Sequence, residues 1–210
     1  MSRVIVMPSA LPVMRQVWGI RSADMRFSNA LTGSGQTQVG GPPRRTCSLV
    51  SEAKIPQRAE GAMWRVLLHD LGGTVNRVAV HDTLRPLPLG TARGTWTADA
   101  AAAGAMALTI NAGAAQAGRT LLAGDWIGVH QESVFHRQLL LVMADAVADT
   151  AGRIAVRTAL PLRADLPAGG PVAWDRPTCL MQATSSEQQW TLESRQEGGY
   201  AIDLVERWET

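Results

Sequence analysis

The stretch RTCSLVSEAKIPQRAEGAMWRVLLHDLGGTVNRVAVH, residues 45–81, decides how the chain is read. It opens with a strand pattern from Arg45 to Ile55. Cys47, Leu49, Ser51 and Ala53 fall on one face by the period of two. Pro56 suits a first helical turn, where a missing N–H is harmless. Ala59, Met63, Val66, Leu67 and Leu71 then recur at helical spacing and form one apolar stripe. The pattern predicts a helix from Pro56 to Leu71, closed by Gly72 and Gly73, which take positive φ without strain. Gly61 inside that helix is expected to weaken it by up to about 1 kcal/mol. From Val75 to His81 a second strand follows, with Val78 and Val80 on one face. A helix between two strands, packed on one sheet face, is the implied unit.

Upstream, the chain reads as short strands. Val4–Met7 is a β-branched run, read as a first strand and not a signal peptide, because Pro8 and Pro12 interrupt the apolar stretch. Val13–Ile20 and Asp24–Asn29 follow, then a Gly33/Gly35 loop and a break at Gly40-Gly41-Pro42-Pro43. Downstream, Leu84–Gly90 carries two prolines and leaves the first unit. The Ala-rich stretch Ala98–Ala107 is expected to be strand or loop. Strand patterns then recur at Trp126–Val129, Leu139–Met143, Arg153–Thr158, Val172–Trp174 and Leu180–Ala183. Pro161, Pro167 and Gly169-Gly170-Pro171 are read as loop. Short strands spaced by Gly/Pro turns predict a small barrel or sandwich. Gln189–Gln196 and Tyr200–Trp208, separated by Gly198-Gly199, read as a terminal hairpin.

The fold class expected is therefore mainly β (α+β): a β-sandwich with one flanking helix, plus an inserted small β-barrel or sandwich module. The first unit would comprise residues 1–82 with 186–210, and the inserted one 83–185.

Composition narrows the function. The 210 residues are 46% hydrophobic and 18% charged, with a formal net charge of +2. That supports a buried core and excludes a disordered class. No apolar run nears the ~20 residues of a spanning helix, and the chain is read as soluble and made in the cytoplasm. Lys54 is the one lysine among twenty basic residues. The arginines are scattered, so the basic excess is no nucleic-acid footprint. Cys47 and Cys179 stand alone, and sequence leaves open whether they pair.

No catalytic or metal signature stands out in the sequence. His69, His81, His130 and His136 form no H-E-x-x-H pattern, and the six-residue spacing of His130 and His136 is read as a surface or loop pair. No phosphate-binding glycine loop surrounds Lys54. Gly33-Ser34-Gly35 misses the nucleophile-elbow spacing. Asp125 after Gly124 is explained by turn chemistry. The expectation is a chain that is not an enzyme and has no cofactor and no metal. Seven tryptophans, at 18, 64, 96, 126, 174, 190 and 208, serve either cores or subunit contacts; stacking on sugars is a weaker option.

The order of motifs resembles the distal tail proteins of long-tailed bacteriophages. The matching elements are Ser28-Asn29-Ala30-Leu31-Thr32-Gly33, Arg44-Arg45-Thr46, the 56–71 helix and Leu71-Gly72-Gly73-Thr74-Val75-Asn76. The second half is similar through Pro88-Leu89-Gly90, Leu122-Ala123-Gly124-Asp125-Trp126-Ile127, Ala151-Gly152-Arg153 and Pro161-Leu162-Arg163, and Trp190-Thr191-Leu192 to Val205-Glu206 closes the likeness. Thr46 stands where an aromatic often follows the arginine in that family.

The resemblance implies a homo-oligomeric ring of six copies at the tail tip of the virion. Its partners would be the tail tube protein and the hub and fibre proteins, with DNA only as cargo through the lumen. Subunit-contact candidates are Leu31, Thr32 and Gln36 in the 31–41 loop, and Met63 and Trp64 on the helix. Trp96 and Trp126 are candidates on the outer module. The alternative is a carbohydrate- or cell-surface-binding β-module, which would need several tryptophans on one exposed face.

Overall fold

The computed structural model describes residues 3–28, 33–56, 59–193 and 196–207. The chain begins with β1 (Val4–Val6), β2 (Arg15–Arg21), β3 (Asp24–Ser28), β4 (Gly35–Val39), β5 (Arg44–Val50), β6 (Ile55–Pro56), helix α1 (Ala59–Leu71) and β7 (Arg77–His81). It continues through β8 (Trp96–Ala98), β9 (Ala107–Asn111), β10 (Thr120–Leu121), β11 (Trp126–Val129), β12 (Gln138–Leu141), β13 (Ala146–Val147), β14 (Arg153–Arg157) and β15 (Gly170–Ala173). It ends with β16 (Thr178–Ala183), β17 (Thr191–Glu193), β18 (Gln196–Gly198) and β19 (Ala201–Glu206). The fold is mainly β, with one α-helix among the described residues.

Two six-stranded sheets dominate. The first has the order β1-β7-β16-β19-β5-β2 and the second β12-β11-β15-β8-β9-β14. Alternation builds the first core: Cys47 and Leu49 on β5, Val78 and Val80 on β7, Cys179 and Met181 on β16, and Ile202 and Leu204 on β19. Helix α1 lays Trp64, Leu67, Leu68 and Leu71 onto that face. Ile110, Leu121, Ile127, Val129, Leu140 and Ile154, all fully buried, belong to a separate second core. The second sheet curls back on itself. Val142, beyond β12, bridges Thr158, beyond β14. Met143 N–H donates to Arg157 O and Ala159 N–H to Leu141 O, both within 3.0 Å.

Several local expectations are corrected. Ile55 and Pro56 form a short strand against Glu197 and Gln196, so α1 starts at Ala59 and Pro56 is no helical N1 residue. Gly61 is required and not a defect. A Cβ there would collide with the Glu197 carboxylate, which lies against the first helical turn, where the helix dipole favours an anion. The 31–41 segment is no simple loop, because residues 35–39 are strand β4. Gly170 and Pro171 lie in β15, where Pro171 pairs with Thr97 beyond the end of the β11 pairing. With a partner strand on one side only, a missing N–H is tolerated.

The end of the chain differs most. Gln189–Gln196 and Tyr200–Trp208 do not pair as a hairpin. Instead β17 pairs with β18, and β18 with β6. Gly199, at φ 69°, turns the chain so that Tyr200 enters the core and β19 runs between β5 and β16. Leu180–Ala183, expected in the inserted module, belongs to β16 inside the first sheet. The first sheet thus regains the chain at Thr178, ahead of the expected residue 186.

Candidate functional site

The first sheet emits an arm. β2 pairs with β5 from Arg15↔Val50 to Arg21↔Arg44. The same two chain segments go on pairing beyond the sheet as β3 and β4, from Asp24↔Val39 to Ser28↔Gly35. The Gly40 N–H donates to Ala23 O at 2.9 Å, which joins the two ladders. A Cβ at Gly40 would come within 2.6 Å of that carbonyl, so the close approach needs glycine. All ten residues of β3 and β4 are exposed. Met25 is 53%, Phe27 57% and Val39 71% exposed. Pairing puts Met25, Phe27, Gln36 and Gln38 on one uncharged face.

The sequence candidates do not converge on one site. Leu31 and Thr32 lie outside the described residues, as does Trp208. Gln36 is on the arm, directly opposite Phe27. Met63 is partly buried against the first core. Trp64 is fully buried, stacks on Tyr200 at 5.5 Å, and donates its indole N–H to Pro12 O at 3.0 Å. Its surface is spent inside the chain, so it does not face a neighbour. Trp96 is in the second module but fills its core, donating to Arg93 O at 3.0 Å. Trp126 is half-buried where the two sheets meet. Among the described residues no tryptophan is exposed, so the exposed Trp face of a sugar-binding module is not formed there.

The contact between the modules carries the least expected arrangement. Glu206, at the end of β19, is fully buried. Its Oε2 accepts the Arg45 backbone N–H at 2.9 Å, and its Oε1 accepts Arg163 Nη1 at 2.6 Å. Arg45 is itself buried. Its Nε and Nη2 donate to Leu139 O on β12, at 3.3 and 3.2 Å, and its guanidinium lies 4.5 Å from the Trp126 ring centroid. Burial pushes the Arg45 pKa below the usual arginine value, against the pull of Cys179 and Glu206. Trp126 stands 6.0 Å from Trp18 and donates to Asp82 Oδ2 at 3.2 Å. An open cleft of about 370 Å³ lies over these rings, beside Arg85. Farther along, Gln131 Oε1 accepts the Thr178 N–H and hydroxyl at 2.8 and 2.7 Å.

Other candidates resolve structurally. The Asp125 carboxylate does more than close its own turn. It accepts N–H groups of Leu89, Gly90 and Leu122 at 2.7, 3.0 and 2.8 Å, tying the entry segment to the second module. Cys47 and Cys179 are both buried free thiols. Burial raises the Cys47 pKa to about 12 and moves Cys179 the same way, which makes both poor nucleophiles. His130 and His136 lie in the β11–β12 loop, with ring centroids 6.4 Å apart. Burial lowers the His130 pKa. Among the described residues, no three His, Cys, Asp or Glu side chains are placed to hold a metal. No described helix is long and apolar enough to cross a membrane.

Sequence reasoning missed Arg45, Glu206 and Arg163 as a group. Arg45 and Glu206 are 161 positions apart, and no local pattern marks them. No protein-family model matches the chain, and no curated protein matches it.

Proposed function

We propose that this chain is a structural virion protein of a phage tail tip: an adaptor that closes into a ring of six copies and joins the tail tube to the hub and fibre proteins. The arm carries the reading. A two-stranded ribbon packed on nothing is marginal in water, and this one exposes Met25, Phe27 and Val39. Unpaired strand edges invite pairing with another chain unless blunted. β1 and β2 are both edges of the first sheet, and β2 leads directly into the arm.

An arm that meets a different patch on the next copy makes a head-to-tail contact, and such contacts end in a ring when the rotation closes. The order of motifs along the chain supports the same reading. The mechanism is assembly: the first sheet builds the ring, the second module stands beside it, and the lumen passes DNA.

Negative-stain electron microscopy of the purified protein, with antibody labelling of tail particles, tests the proposal. Six-fold rings and label at the tail end are the expected result. A monomer at every concentration, together with unlabelled tails, would overturn it.

A further inference from the structure

We propose that Glu206, with Arg163 and Arg45, is an orientation lock: it fixes the angle between the two modules and is not what keeps either module folded. The first core closes under α1 and takes in Leu139 of β12, with Trp126 of β11 packed against it, and the second closes inside the curled sheet. Each has its own apolar cluster, and the three charged residues belong to neither. They sit at the contact. Glu206 and Arg45 come from the first sheet, and Arg163 and the Leu139 carbonyl from the second module.

The chemistry suits a lock better than a glue. An apolar contact gains from burial in many orientations, because the hydrophobic effect has no direction. Charge-assisted hydrogen bonds have short optimal lengths and narrow angles. Glu206 uses both of its oxygens on opposite sides, one for each module. Arg45 then crosses the gap in the other direction, to the Leu139 carbonyl and the Trp126 ring. Rotating one module by a few degrees would pull Arg163 from the fully buried Glu206 carboxylate and the Arg45 guanidinium from the Leu139 carbonyl. Buried charges of this kind seldom add net stability over an apolar filling, and their best-attested use is to select one arrangement. The lock belongs to the single chain. It stands or falls separately from ring assembly.

The test is a spin-label distance distribution between the modules. Val66→Cys on the exposed side of α1 and Thr150→Cys on the second module carry the labels. Native Cys47 and Cys179 are buried and do not compete. The otherwise wild-type chain is expected to give one narrow distance peak, and Glu206→Gln a peak at least twice as wide. Because Glu206→Gln also removes the negative charge beside two buried guanidinium groups, a second variant replaces all three charges: Arg45→Met, Arg163→Met and Glu206→Leu. That variant is expected to fold, to keep its unfolding midpoint, and still to show the broadened peak. A peak as narrow as wild type in the triple variant overturns the proposal. So does loss of folding in the triple variant, which would make the charges part of the fold itself.

Discussion

The two six-stranded sheets solve the edge problem in opposite ways. The second curls until Val142 bridges Thr158, which covers its end strands. The first stays open, with β1 and β2 at its edges, and extends β2 and β5 into a ribbon that leaves the sheet. Closure removes the sites at which a sheet recruits another chain. The open sheet keeps them and adds apolar side chains at their end. Within one chain, then, the module that is finished by itself sits beside the module that is not. The proposed assembly would use the second kind.

This contrast can be broken most severely in the cores. Trp64→Ala should cost the first module about 3–5 kcal/mol and Leu140→Ala the second about 2–5 kcal/mol. Amide exchange reads the two separately. Trp64→Ala is expected to expose β5 and β19 while β9 and β14 stay protected. Loss of protection in both sheets together would show that the modules unfold as one.

Gly61→Ala probes how the helix is held. In an exposed helix this change gains up to about 1 kcal/mol. Here it should lower stability by roughly 1–3 kcal/mol, because the new methyl group overpacks against the Glu197 carboxylate. Chemical denaturation gives the sign directly.

A third probe is pH. Cys47 rises from 9.0 to about 12 and Tyr200 from 10.0 to about 12, both through burial first. Both groups lie in the first core. A folded-state pKa above the unfolded one means the unfolded chain releases protons first. The stability from these groups is complete below about pH 9 and is lost as pH rises toward 12. The first module should therefore weaken in alkali before the second, and Cys47→Ala should flatten part of the slope. On the acid side the sign reverses. Burial lowers His81 and His130 from 6.5, so stability falls as pH drops below that value.

The smallest effect on stability is expected at the arm. Phe27→Ser should change the unfolding free energy by no more than about 0.5 kcal/mol, as for an exposed site. A larger loss would mean that the arm packs on its own chain.

Much of the fold was legible because it is local. Alternation in Arg45–Val50 and Arg153–Arg157 and the helix before Gly72 depend on neighbours in sequence. What failed depends on distant partners. Pro56 looked like a helix start until β18 paired with it. Gly61 looked like a flaw until Glu197 filled its place. Leu180–Ala183 reads as a strand anywhere, and nothing local assigns it to the first sheet. The candidate contact residues differ in exposure for the same reason. Gln36 is exposed beside a turn signal, whereas Trp64, outside the expected stripe, lies on the buried face with Leu67, Leu68 and Leu71, and Val66 of that stripe is exposed. The junction charges were illegible, since two arginines and a glutamate far apart in sequence have no pattern.

If the open sheet and its arm make this chain assemble, removing the apolar side chains of the arm should stop it. Sedimentation of the wild-type chain beside a Met25→Ser, Phe27→Ser variant tests it most directly. The expected result is a wild-type species of six copies and a folded monomeric variant. Equal masses for the two proteins, whether both monomeric or both assembled, would contradict it.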